Sequence, residues 1–271
     1  MNTRNRLLAG IIAVLIAGSW IGNVLYYRSG QLREPLFMNH EIMTTTQGSL
    51  IDLYYLENKS TGKKVTAIQI EALPSLRFEL TEWQSFSHQK FMHAFGYAES
   101  DLQPGKYTEA TVYYNEGPPK KVPIGIIEVE DGEGDGNGAL NFYSSGGGSD
   151  GSGFISGRLR RDSVVEEVST SIGDNYKPLL TYELKATMPG AGELVPIQLP
   201  ERVPQGASLR VDYQWHEQDP AAGIPTVFRP WMTIRSQASD GTERIDKNLI
   251  QFNLYLTEAQ VRALVKREAN P

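Results

Sequence analysis

Leu180-Thr181-Tyr182-Glu183-Leu184-Lys185-Ala186-Thr187-Met188 alternates without a break: Leu180, Tyr182, Leu184, Ala186 and Met188 fall on one face, Thr181, Glu183, Lys185 and Thr187 on the other. Successive strand side chains point to opposite sides, so this pattern describes a half-buried strand of an antiparallel sheet. The same reading covers Leu209, Val211, Tyr213 and Trp215 against Arg210, Asp212 and Gln214, and Ile250, Phe252, Leu254 and Leu256 against Gln251, Asn253 and Tyr255. Shorter runs join them at 50–56, 65–71, 76–80, 107–114, 124–130, 139–143, 154–160, 164–172, 194–199 and 227–235, many separated by Pro, Gly, Asn or Asp turns. About thirteen strands at such spacing predict a mainly β chain built as antiparallel sandwich.

Helical periodicity is scarce. Residues 83–95 carry Trp83, Phe86, Phe91, Ala94 and Phe95 at roughly helical spacing, with Gly96 placed as a cap. The C-terminal run from Thr257 to Glu268 is better defined. Thr257 stands as N-cap, Glu258 in the first turn and Lys266 and Arg267 in the last, with Val261, Leu264 and Val265 on one side, and the helix is expected beside the last strand.

The N-terminal segment has another character. Leu7 to Tyr27 holds no charged side chain, and Arg4 and Arg6 precede it. A helix over 7–27, at about 1.5 Å per residue, reaches across a hydrocarbon core of roughly 30 Å and satisfies its own backbone there. Trp20, Tyr26 and Tyr27 suit the headgroup level, and the basic lead assigns residues 1–6 to the cytoplasm and the bulk of the chain to the outside. The alternative is a cleaved secretory signal with its cut near Ala17, Gly18 and Ser19.

All 32 acidic residues and 24 of the 26 basic ones lie after Tyr27, a formal charge of −8 for that part. That disfavours nucleic acid and anionic lipid as general ligands while leaving room for a local basic patch. With no cysteine, neither a disulfide nor a thiolate metal site is possible.

A faint repeat at an offset of 101 relates Gln103-Pro104-Gly105 and the strand ending Tyr114-Asn115-Glu116 to Pro204-Gln205-Gly206 and the strand ending Trp215-His216-Glu217. The division it suggests is a stalk and first-strand approach over 28–49, one immunoglobulin-like sandwich over 50–143, a Gly/Ser linker or loop over 144–153 and a second sandwich with the C-terminal helix over 154–271. The rival is a single larger sandwich in which 144–153 is a hairpin loop. Matching strand order in the two halves is what duplication requires.

Chemical motifs are sparse. Gly147-Gly148-Ser149-Asp150-Gly151 fits the GxSxG spacing, yet a nucleophile elbow needs a strand-to-helix turn and a partner histidine. Asp131, Glu133 and Asp135 before Gly136 resemble the start of a calcium loop, but Phe142 occupies the position of its closing bidentate glutamate. His88 and His93 cannot easily share a metal on a regular helix, and His40 and His216 are isolated. No catalytic residue and no cofactor site is assigned.

Trp215 belongs to the core face of its strand. Tyr54/Tyr55 and Tyr113/Tyr114 each place one ring on either face, so one of each pair is a candidate for exposure. The expectation is a single-pass, membrane-anchored, extracytoplasmic binding protein of the cell envelope. Its partner is another envelope protein, or alternatively a carbohydrate or wall polymer; a tethered hydrolase is the third class. The first requires a free sheet edge or apolar patch, the second exposed coplanar tyrosines in a groove, the third convergent carboxylates or histidines in a pocket.

Overall fold

The computed structural model describes residues 3–47, 50–132, 138–218 and 223–269. Its strands among those residues form four sheets. Sheet I runs β1 (Leu36–Phe37), β3 (Leu50–Asn58), β6 (Gln89–Ala98), β5 (Leu76–Ser85); sheet II runs β16 (Thr226–Arg229), β2 (Asn39–Thr45), β8 (Lys120–Glu130), β7 (Gly105–Tyr114), β4 (Val65–Gln69). Sheet III runs β13 (Val195–Pro196), β12 (Leu180–Thr187), β15 (Ser208–Trp215), β10 (Ser152–Leu159), β9 (Leu140–Gly147); sheet IV runs β14 (Glu201–Val203), β11 (Ser163–Thr170), β17 (Trp231–Ala238), β18 (Glu243–Leu249).

Sheets I and II close over one core, with Ile51, Leu53, Tyr55, Leu76 and Ala94 meeting Ile42, Ile68, Ala110, Val112, Ile124 and Ile127. Sheets III and IV close over a second, where Ile155, Leu184, Leu209, Val211 and Trp215 meet Val165, Val203, Met232 and Ile234. Leu180, Leu184 and Ala186 of β12 and Leu209, Val211, Tyr213 and Trp215 of β15 are buried as their periodicity dictates, whereas Tyr182, expected on the buried face, is exposed.

In the first sandwich one sheet holds β1-β3-β6-β5 and the other β2-β8-β7-β4, with β2 parallel to β8. That is the ABED and CFG arrangement of an immunoglobulin-type sandwich. The second sandwich is ordered differently. Under the 101-residue offset β3, β4 and β7 correspond to β10, β11 and β15. However, β7 pairs with β4, whereas β15 pairs with β10 and lies in the sheet opposite β11. Mismatched pairing rules out the duplication.

Residues 144–153 are not a linker but the ends and turn of the β9–β10 hairpin. Their glycines make room for rings: a Cβ on Gly153 would collide with the Tyr213 ring. Residues 83–95 are not helical. β5 and β6 form a hairpin, and a register shift between Glu82 and Gln84 sets Trp83 out of the two-residue period, which mimics helical spacing. Nor is 28–49 a stalk, since it contains β1 and β2. Residues 250–256 leave the sheet after β18; their alternation feeds successive cores, Ile250 the second and Leu254 and Leu256 a third.

That third cluster joins the sandwiches. Met38, Tyr54, Leu56 and Phe91 pack with Val227, Leu254, Leu256 and the helix residues Val261, Leu264 and Val265. Helix α2 (Glu258–Ala269) therefore lies over the outer face of sheet I instead of beside a last strand. Its start is a reciprocal cap: Gln260 N–H donates to Thr257 Oγ1 and Thr257 N–H to Gln260 Oε1. The cover explains why Tyr54 and Tyr55 are both buried, contrary to the expectation of one exposed ring; Tyr113 is exposed and Tyr114 buried.

Strand β16 is the second connector. It falls between β15 and β17 of the second sandwich yet pairs in parallel with β2 of the first. Phe228 points into the second core against Trp215, 5.3 Å and nearly parallel, while Val227 enters the third.

Ahead of all this stands α1 (Thr3–Ser29). Its stretch Ile11–Arg28 is apolar enough to cross a membrane and none of its residues is buried in the rest of the chain, which it touches near its end through Tyr27.

Candidate functional site

Four strands build a groove of about 810 Å³ on sheet III. Register sets Gly146, Phe154, Asp212 and Glu183 in one row, with Ser152, Gln214 and Thr181 in the next. Gly146 to Gly148 contribute no side chains and so form one wall from backbone.

Its charges are already matched. Arg210 Nε donates to Asp212 at 2.6 Å, and Lys185 Nζ lies 2.9 Å from Asp212 and 3.1 Å from Glu183. Burial by itself would raise the Asp212 carboxyl, but the hydrogen bonds from Lys185 and Arg210 outweigh it and hold the group below the usual carboxylate range. An ionised carboxylate is not a general acid. The rings offer little stacking surface: Arg210 covers Phe154 at 4.0 Å and Tyr213 is buried, while Tyr182, which donates its OH to Val168 O, stays exposed.

Beside the groove runs the outer side of β9, an edge strand that among the described residues pairs only with β10. Asp246 of β18 holds its first residues by accepting from Ala139 and Leu140 N–H at 3.1 and 3.0 Å. From Ala139 to Ser149 there is no charged residue, and Tyr143, 58 % exposed, stands at the register shift opposite Ser156 and Gly157. Unpaired N–H and C=O groups on such an edge accept another strand unless charges guard it. Edge strands β5 and β18 carry those guards, Arg77, Glu79 and Glu82 in one and Glu243, Arg244 and Lys247 in the other. Strand β9 does not.

The GxSxG serine lies in the β9–β10 turn, where Asp150 Oδ1 accepts from both the N–H and the hydroxyl of Ser152, and a strand follows instead of a helix. Of the calcium candidate, Asp131 is described, while Glu133 and Asp135 lie outside the described residues. Among the described residues no group of three His, Asp or Glu is arranged to hold a metal.

The histidines have separate structural partners. His40 is fully enclosed: Nδ1 donates to Ile124 O at 2.8 Å and Nε2 accepts the Tyr54 N–H at 2.9 Å, which fixes a neutral ring bridging the two sheets of the first sandwich. Its partner strand bulges at Gly125, whose φ of +86° and approach to the His40 backbone exclude any Cβ. Desolvation drives the His40 pKa down to about 4 against the opposing pull of its bond to Ile124 O. His93 Nε2 meets Asp52 Oδ1 at 2.8 Å beneath the Tyr54 ring. Arg229 of β16 reaches the same Asp52 at 3.5 Å and donates to Leu50 O, so this polar cluster locks the joint. His216 contacts Thr181, and His88 meets the edge of Tyr27.

Where α1 ends, the chain is clamped. Asn58 donates to Leu32 O and accepts from Leu32 N–H, and Gln89 donates to Gly30 O at 2.6 Å and to Asn58 Oδ1 at 3.3 Å. Both amides are buried. In the sequence these two positions show only an uncharged amide near the end of an apolar run, and Gln89 falls within the 83–95 stretch of helical spacing.

No protein-family model matches the chain, and no curated protein matches it. Among solved structures, the D00–D0 domain of Intimin is 12 % identical, covering 81 % of this chain and 100 % of that one at a TM-score of 0.23. A protein of unknown function from Porphyromonas gingivalis W83 is 14 % identical, covering 82 % and 97 % at a TM-score of 0.24. At these values the likenesses carry no functional argument, and the fold description rests on the strand pairing itself.

Proposed function

We propose that the chain is a single-pass, membrane-anchored protein of the cell envelope, its β body outside the cytoplasm, that works by binding another envelope protein and not by catalysis. The observation that carries this is α1. A long apolar helix with no residue of Ile11–Arg28 buried by its own protein costs free energy in water and gains it in lipid. Arg4 and Arg6 favour the N-terminus on the cytoplasmic side.

Support for the binding role comes from β9, an unguarded edge beside a backbone-walled groove, the arrangement that strand addition uses. The wall-polymer alternative is weaker because Arg210 covers Phe154, Tyr213 is buried and the groove's carboxylates are paired.

A photocrosslinker at Tyr143 in intact cells should give one discrete adduct with an envelope protein, and the same probe at exposed Ile245 on the guarded β18 edge should give at least about tenfold less. Adding Ser144→Lys should abolish the Tyr143 adduct with little change in stability. Equal labelling from both positions, or adducts with glycan alone, would overturn the protein-binding reading.

A further inference from the structure

Three loops of the first sandwich lie at the end where α1 enters. Residues 59–64 join β3 to β4, 86–88 join β5 to β6, and 115–119 join β7 to β8. Asn58 pairs with Gln89, and Asn115 N–H donates to Lys64 O, which brings all three to one end of the sandwich. Tyr27 reaches two of the loops, through His88 at 5.4 Å and Ser60 at 3.4 Å. Trp20 and Thr61 line the same cleft between helix and loop. The clamp at Asn58 and Gln89 leaves no slack between helix and body.

Charge is distributed unequally over this body. The part after Tyr27 carries a formal −8, yet Arg28, Arg33, Lys59, Lys63, Lys64, Lys90, Lys120 and Lys121 gather at this end. Lys64, Lys90 and Lys121 are neutralised by Glu57, Glu82 and Glu71. Lys63 and Lys120 share one carboxylate, Glu34, whose pKa is held low by hydrogen bonds from Lys120 and then Lys63, so a positive charge is left over. Arg28, Arg33 and Lys59 make no ion pair among the described residues, and Arg28 and Arg33 are exposed. Glu116 in the β7–β8 loop opposes them, Glu82 also faces Lys59, and Glu258, which accepts from Ser87 N–H in the β5–β6 loop, is paired with Arg262.

We infer that this end of the first sandwich is a lipid-facing surface, on which Arg28, Arg33, Lys59 and the Lys63/Lys120 pair hold the body down against anionic headgroups of the outer leaflet. Excess cation fits a negative lipid surface, and the rest of the body, more acidic still once these residues are set apart, is turned away from it. The anchor then does more than tether. It sets the tilt of a body that it joins without a flexible stalk. This rests on the membrane anchoring proposed above.

The lack of cysteine makes the test direct. The full chain with Pro118→Cys, labelled with a fluorophore in the β7–β8 loop, is reconstituted into phosphatidylcholine vesicles with or without phosphatidylglycerol, both carrying a headgroup quencher. A second chain with Ser239→Cys, labelled in the β17–β18 turn, reports on the far sandwich. Expected at low salt is about twofold or more stronger quenching at position 118 in anionic than in neutral vesicles, the difference vanishing near 1 M salt, where screening acts within about 3 Å. Position 239 should not respond. The variant Arg28→Glu/Arg33→Glu/Lys59→Glu should lose the lipid dependence while melting as the parent does; the salt titration on the parent stands without it. Vesicle flotation with equal quenching in both lipids would overturn the headgroup contact alone. Failure to float would overturn the anchoring and the contact together.

Discussion

Phe228→Ala should cost about 3–5 kcal/mol, as expected for deleting a fully buried aromatic ring. The ring is stacked on Trp215 and edged by Tyr176 and Phe252, while its backbone belongs to the strand that pairs with β2 of the other sandwich. The loss is therefore felt on both sides of the joint. For a chain of this size it corresponds to a fall of about 10 °C in melting temperature. It should be accompanied by a change in Trp215 fluorescence. A loss below about 1 kcal/mol would mean that β16 is not the bolt between the sandwiches.

Acid should weaken the fold through His40. Its folded pKa of about 4 lies below the ordinary value of 6.5, so the folded state resists a proton that the unfolded chain accepts. Stability from this group is complete above pH 6.5 and declines as pH falls from 6.5 toward 4, by about 3 kcal/mol across the window. The cause is geometric: a second ring proton at Nε2 would face the Tyr54 N–H, and the buried ring has no water to take the charge. Glu41 acts in the opposite sense, because burial raises its carboxyl pKa and acid then relieves it. The His40 part is isolated by subtracting the denaturant-derived stability of His40→Gln from that of the parent at each pH. That difference should be flat above pH 7 and slope between pH 6.5 and 4; a flat line throughout would contradict the bridging role.

What could be read from the sequence follows from which signals are local. The Leu209–Trp215 run shows one buried face, and in the Leu180–Met188 run Leu180, Leu184 and Ala186 share another, so period two appears directly in the residue order even though Tyr182 is exposed. The apolar anchor is equally plain, although α1 runs beyond 7–27 at both ends. Strand β2 (Asn39–Thr45) was invisible because its buried positions include His40 and Thr44, polar residues satisfied by partners far along the chain or enclosed by them. Tyr54 was misjudged for a related reason: its cover, Val261 to Val265, lies some 200 residues downstream.

The site was legible only in part. Glycine and serine at 144–153 signalled flexibility, whereas the hairpin uses Gly153 to seat the Tyr213 ring. The parallel pairing of β16 with β2 links residues nearly 190 positions apart, and nothing near Phe228 announces it. The basic end is likewise a product of folding, since its eight cations come from four separate segments in an acidic chain.

The claim on which the functional account depends is that α1 resides in lipid with the β body attached. Membranes from cells making the C-terminally tagged chain can be washed with alkaline carbonate and the N-terminus of the retained protein sequenced. The account predicts retention of a chain that still begins before Leu7. A soluble product whose N-terminus lies near residue 20 would contradict it.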